Sequence, residues 1–192
     1  AVLVPCTMDA FKFANEMNHL LDCDWDAPAA VVYYGWTNRE KHIRAFLDEY
    51  GDDSNHFGHR WTSTTCGLMA LVASDAIAHM GSIPQPGREP CQTLSEPPLQ
   101  PPDSGEKFTR PSRDKTCPLF ASCPSHQKLR DLRQARIIVT TAGALQSRLP
   151  NFFDPRGLLL ADYIYEQADI VFVDEADEVQ AFQDDQFVNT IT

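Results

Sequence analysis

Two groups of residues in this chain have the types and the spacing to do chemistry. The first is Asp174-Glu175-Ala176-Asp177, directly after the apolar run Ile170-Val171-Phe172-Val173. Consecutive acids at the carboxyl end of a parallel strand are the Walker B arrangement. The first carboxylate holds magnesium through its water shell and the second orients the attacking water. The same letters also read as an acidic first turn on the next helix, favourable with its dipole. No Gly-x-x-x-x-Gly-Lys-Ser/Thr segment occurs in the 192 residues, so the cradle and lysine that grip nucleotide phosphates are not among them. The expectation is therefore a piece of an ATPase and not a complete one. The start at Ala1, without Met and inside an apolar run, agrees with an excerpt of a longer chain.

The second group is cysteine. Of the six, Cys6 and Cys23 abut apolar segments and read as small buried hydrophobes. Cys66, Cys91, Cys117 and Cys123 instead bracket a stretch with little core, Ile83 to Pro118, which holds nine of the fourteen prolines. Such a segment needs a staple, and four thiolates around one metal centre supply it. Their gaps of 24, 25 and 5 residues fit paired zinc knuckles poorly. An iron-sulphur cluster tolerates them, because each iron needs one protein ligand and sulphide completes its coordination. Four unrelated thiols are the alternative. His56, His59 and His126 read as solvated loop histidines that can supplement a zinc site.

Charge is distributed unevenly. The formal total is −11, yet residues 107–136 carry eight Lys and Arg against two acids, a local +6. From Gly157 to Thr192 there are nine acids and no Lys or Arg. A basic segment in an acidic protein is the footprint of a phosphate backbone partner. Lys115, Lys128, Arg130 and Arg133 are its candidate DNA contacts, with Phe108 and Phe120 as candidate stacking residues.

The elements that must position these groups alternate. Ala1 to Val4 reads as a strand ended by Pro5, with Thr7 as N-cap of a helix carrying Ala10, Phe13, Ala14, Met17 and Leu21. Ala29 to Tyr34 reads as a second strand. A capping box at Thr37-Asn38-Arg39-Glu40 then opens a helix with Ile43, Phe46, Leu47 and Tyr50 on one face. Arg136 to Thr140 and Asp169 to Val173 are two further buried-strand candidates, and a helix from about Thr65 to Met80 stops at Gly81. Alternation of this kind predicts an α/β fold, a parallel sheet with flanking helices. No run of about 18 apolar residues occurs, nor a secretory n-region and h-region, so the chain reads as cytoplasmic, with no membrane partner.

Taken in order, these residues resemble the superfamily 2 DNA helicases that carry an iron-sulphur cluster, the XPD and DinG-like family. Val2-Leu3-Val4-Pro5-Cys6-Thr7 is similar to motif Ia, and the resemblance implies that Thr7 touches the tracking strand's phosphates. Cys66, Cys91, Cys117 and Cys123 resemble the four ligands of a 4Fe-4S cluster. Ala135 to Leu145 is similar to the strand and small-residue turn that follow it. Val173-Asp174-Glu175-Ala176-Asp177 resembles motif II, with Asp177 where the family commonly has His. The cluster spacing is nearer the DinG-like members.

The resemblance implies an incomplete RecA-like motor domain 1. Residues 1–60 would be its first part, 61–135 the cluster insert and 136–192 its continuation. ATP and magnesium in the parent, single-stranded or forked DNA, and the remaining motor domain would be its partners. The rival from another class is a non-enzymatic zinc-binding DNA-interaction module.

Overall fold

The computed structural model describes residues 1–35, 38–67, 117–150, 153–154 and 156–188. The helix expected from Thr65 to Met80, the proline-rich stretch and the Thr37 end of the capping box lie largely outside them. Among the described residues no helix is long and apolar enough to cross a membrane.

The fold is α/β: four parallel strands in the order β2-β3-β1-β4, with helices against the sheet. Strand β1, Val2–Val4, pairs with β3, Ile137–Thr141, in the register Val2 to Val139, and on its other side with β4, Phe172–Val173. Strand β2, Ala30–Tyr33, takes the far edge beside β3, with Ala30 opposite Ile137. Sequence neighbours β1 and β2 thus enclose β3, which arrives more than a hundred residues later in the chain.

Helix α1, Thr7–Leu20, starts one residue earlier than the capping pattern suggests. Cys6 is the N-cap: its sulphur accepts from the Asp9 amide at 3.5 Å, and its thiol donates to Asp9 Oδ2 at 2.8 Å. Cys6 is therefore exposed, contrary to the buried role expected of it; Cys23 packs partly buried at the margin of the core. Helix α1 ends where Asp22 turns into the left-handed region at φ 49°. Its Asn18, fully buried, closes the outer edge of β2. The amide donates to the Ala30 carbonyl at 2.8 Å and the carbonyl accepts from Ala30 N at 2.8 Å. An edge strand leaves such groups orphaned, and a side chain able both to donate and to accept satisfies both.

Successive strand residues point to opposite faces, so the sheet has two cores. On one face Val4, Ala30, Val32 and Val139 meet Phe11 of α1 and Phe46 of α2, Arg39–Tyr50, together with Phe57 and Trp61. The rings of Phe11 and Phe46 lie 4.8 Å apart, and burying each contributes about 1.5 to 3 kcal/mol. Trp61 belongs to a short helix α3, His59–Thr62. On the other face Tyr33 and Ile138 meet Leu129 and Leu132 of α4, Gln127–Leu132, and Leu160 and Ile164 of α5, Leu160–Gln167. The end of the segment assigned to the insert, residues 127–132, therefore belongs to the sheet layer: its leucines complete this second core.

Strand β4 departs most from the sequence reading. A buried strand is expected over residues 169–173, whereas only Phe172 and Val173 pair, and Ile170, Val171, Phe172 and Val173 are all exposed. The reason is position. The strand joins β1 along one edge, and among the described residues nothing pairs with its other edge. Helix α6, Ala176–Val188, follows it.

Candidate functional site

The acidic tip is built by one backbone reversal. Asp174 N still donates to the Leu3 carbonyl at 2.8 Å, continuing the β1–β4 ladder by one residue. Glu175 then turns with φ 47°, left-handed and rare for a residue with a side chain, and its carbonyl accepts from Glu178 N and Val179 N as α6 begins. Asp174, Glu175 and Asp177 are all exposed. The Glu175 carboxyl is pushed above its usual range chiefly by the charge of Glu178, then by burial and by Asp174. An all-oxygen set suits a hard cation such as magnesium, and carboxylates that repel one another are what such a cation reconciles.

Beside this tip the carboxyl ends of β1, β2 and β3 open into a cleft of about 590 Å³. Thr7, at the first turn of α1, lines it, as do the Ala142-Gly143-Ala144 turn after β3 and Glu178 of α6. The structure thus brings the motif Ia-like threonine, the small-residue turn and the helix that follows the acidic motif to one opening. Asp174 faces away, into a second, more apolar hollow of about 820 Å³ that runs under β4 to Phe13 and Met17.

The cysteines divide. Cys66, Cys117 and Cys123 are buried, and two contacts bring their segments together across the insert. Ser125 Oγ donates to the Thr65 carbonyl at 3.3 Å, and a Cβ on Gly67 would meet Leu119 at 3.0 Å. Buried thiolates are the right donors for iron or zinc. Among the described residues, however, no group of three or more His, Cys, Asp or Glu is gathered as a metal site. Cys91 lies outside the described residues. His56 and His126 are both buried, which corrects the solvated reading. The His56 ring stacks on Tyr50 with centroids 4.4 Å apart, and His126 lies 5.5 Å from Phe120. His59 engages the Asp53 carbonyl at 2.9 Å.

The basic residues are mostly committed to the fold. Lys128 is interior, 2% exposed, so it cannot meet a DNA phosphate without opening the core, and it leaves the expected DNA-facing set. Its ammonium donates to the Tyr34 carbonyl at 2.9 Å and sits 3.8 Å over that residue's ring. Arg130 donates to the carbonyls of Phe120 and Cys123, at 2.5 and 2.8 Å, and to Gln127. Arg133, exposed, reaches the Phe153 carbonyl at 2.7 Å. Phe120 is half-buried beside Arg130 and His126. Lys115 and Phe108 lie outside the described residues.

Sequence reasoning missed the charge cluster that ties the insert's two ends. Arg60 and Trp61 both reach Asp131, the one acid in its stretch of the basic segment. An isolated acid in a basic run was the only available signal. It also missed the unit formed by β2 and α2 as a wall of the cleft, because Asn38 and His42 match no motif. Comparisons with protein-family models, with curated proteins and with solved structures found no match for this chain.

Proposed function

We propose that this chain is part of the first, RecA-like motor domain of an ATP-dependent DNA helicase resembling the XPD and DinG-like family. One observation carries the reading: Asp174 and Glu175 stand in succession at the carboxyl end of β4, parallel to the strand that leads into Thr7. In that reading Asp174 holds the hydrated magnesium and Glu175 takes a proton from the attacking water as it orients it. The phosphate-binding lysine, absent from these 192 residues, would be supplied by the parent protein. Thr7 contacts the tracking strand, and Lys115, Arg130 and Arg133 remain as basic contacts at the insert. Cys66, Cys91, Cys117 and Cys123 would hold the 4Fe-4S cluster, which when bound supplies a structural staple for a segment with little core.

The test is DNA-stimulated ATP turnover by the parent protein. Glu175→Gln is expected to stop turnover while leaving nucleotide and DNA binding near wild type, because an amide keeps the shape and cannot accept the proton. Asp174→Asn is expected to weaken magnesium-dependent nucleotide binding first. Undiminished turnover in a folded Glu175→Gln protein would sink the reading.

The rival zinc module draws support from the exposure of the whole acidic tip, which is how a solvated helix start looks. Metal analysis separates the two. Iron with a brown colour after anaerobic purification favours the helicase piece, and stoichiometric zinc without iron, even after anaerobic reconstitution, favours the module.

A further inference from the structure

The cleft at the carboxyl ends of the strands sits where the chain divides. After β1 the chain turns into α1 on one face of the sheet, and after the neighbouring β3 it continues to α5 on the other. Adjacent parallel strands whose connections leave to opposite faces open a crevice between their carboxyl ends, which is where α/β sheets take ligands. The lining agrees: Pro5, Cys6 and Thr7 follow β1, and Ala142, Gly143 and Ala144 follow β3. The volume, about 590 Å³, is ordinary for a small-ligand site.

The lining also sets the charge of what can enter. Of the fourteen described residues around the cleft none is Lys or Arg, and only Glu178 is an acid. Glu175 stands close enough for the charge of Glu178 to hold its carboxyl up. His42 brings no positive charge at neutral pH, because burial, then Lys41 and Lys128, lowers its pKa below 6.5. An anion is therefore repelled. The other polar side chains at the opening include Thr7, Asn38, His42 and Ser147, from four parts of the fold. Among the described residues no hydrogen bond engages any of these four side chains, and Asn38 precedes α2 without capping it.

Their positions are fixed from behind. The His42 ring stands edge-on to Tyr34 at 5.8 Å, and Tyr34 Oη donates to the Trp61 carbonyl at 2.6 Å in the core. A Cβ on Gly35 would lie 2.6 Å from Ser147 Oγ, so a side chain there would displace that hydroxyl. Hydroxyl, amide and neutral imidazole each offer both a donor and an acceptor, whereas a carboxylate only accepts. The complement of that set is a molecule of hydroxyl groups. Each can donate and accept, none carries charge, and two on adjacent carbons reach both oxygens of one carboxylate, as in the acids that read ribose.

We propose that this cleft binds the adjacent hydroxyls of an uncharged sugar or of a nucleoside's ribose, with Glu178 accepting from that pair and Thr7, Asn38, His42 and Ser147 bonding the ligand's other polar groups. The proposal does not rest on the helicase reading. Where the two meet, at Thr7, a passing strand would lay its sugar and not its phosphate in the cleft.

The experiment is an amide-shift titration of the isotopically labelled chain with ribose, adenosine, 2′-deoxyadenosine, adenosine monophosphate and a single-stranded deoxyoligonucleotide, at equal ionic strength. Adenosine is expected to move the amides of Thr7, Gly143, Ser147 and Glu178. The 2′-deoxy form is expected to bind about tenfold more weakly, and Glu178→Gln to weaken adenosine by about the same factor, since each loses a charge-assisted hydrogen bond. The same variant is expected to bind the monophosphate several-fold more tightly, by removing a like charge. Opposite signs for two ligands in one variant cannot come from damage to the fold.

Adenosine and ribose that move no cleft amide, or a monophosphate that binds more tightly than adenosine to the unaltered chain, overturn the proposal. So does a Glu178→Gln protein that holds adenosine as well as before. Shifts with ribose alone uphold the site and assign it a free sugar; shifts with adenosine and not ribose uphold it and assign a nucleoside. Cleft shifts with the deoxyoligonucleotide and with neither small ligand overturn the site and leave the helicase reading standing.

Discussion

Arg60 and Asp131, 71 positions apart, form a two-pronged ion pair across the insert, with Nε to Oδ2 at 2.6 Å and Nη2 to Oδ1 at 3.0 Å. Asp131 also accepts from Trp61 Nε1 at 2.9 Å and from Gln127 at 2.8 Å, and Arg60 reaches Asp26 at 3.2 Å. This cluster therefore ties the two ends of the insert to each other.

Because the Asp131 carboxylate is 7% exposed and the Arg60 side chain 10%, removing Asp131 leaves the largely buried guanidinium with only the solvent-exposed Asp26 as an ion-pair partner. Asp131→Leu is expected to cost about 3 to 5 kcal/mol in urea unfolding at neutral pH. The paired variant Arg60→Met with Asp131→Leu is expected to lose less than the single one, since no uncompensated charge is left. Equal losses would mean that the cluster acts only through packing.

Burial, aided by Arg39, pushes the Lys128 amine down from 10.5 to about 7. Between those values the unfolded chain holds the proton more tightly than the folded one, so this group makes stability rise with pH from about 7 towards 10.5. The variant Lys128→Met is expected to flatten that rise in denaturant midpoints measured across the window. A slope unchanged by the substitution would show that the amine is charged in the folded protein throughout.

His56 is tied down as a neutral ring: its Nδ1 accepts from Gly58 N at 2.9 Å, beneath Phe46 and Tyr50. Burial lowers its pKa below the usual 6.5, against the pull of Asp53 and Glu49 and with the push of His59 and His19. The stability it contributes is present above pH 6.5 and is lost as pH falls through the lowered value. His56→Gln is expected to remove that part of the acid sensitivity in thermal unfolding between neutral and mildly acidic pH.

Gly58 has a separate steric requirement. A Cβ there would lie 2.2 Å from the Phe46 ring and 2.9 Å from His56 Nδ1, and Phe46 is fully buried. Gly58→Ala is expected to destabilise by about 1 to 3 kcal/mol or more through overpacking. Phe46→Leu in the same chain is expected to recover part of it, which a denaturation series on the four variants reads directly.

Asn18→Ala removes both partners of Ala30 at the sheet edge. Leaving a buried amide and carbonyl unsatisfied is expected to cost on the order of 3 kcal/mol, and hydrogen exchange at Ala30 is expected to accelerate. Asn18→Asp keeps the shape and loses the donor, so it is expected to fail to rescue.

Local patterns alone determined the α/β class, the strand positions at Val2, Ala30 and Ile137, and the two helices after the first two strands, because apolar runs and short-range helical spacing are properties of contiguous letters. The acidic motif was legible for the same reason: four adjacent residues after an apolar run need no tertiary information. The tertiary structure decided the rest. It placed β3 between β1 and β2, and so gathered Thr7, Gly35 and Gly143 around one opening. It also left the apolar run before Asp174 exposed at an edge, because burial depends on which neighbours arrive and not on the run itself.

Lys128 shows the difference most plainly. In the sequence it is one of eight positive residues in a basic segment, and nothing in those letters separates it from Arg133. Helical periodicity turns one of the two into the core beside Tyr34 and the other towards solvent. Whether a lysine in a charged run meets a phosphate or a buried carbonyl is settled by which face of its helix the sheet covers.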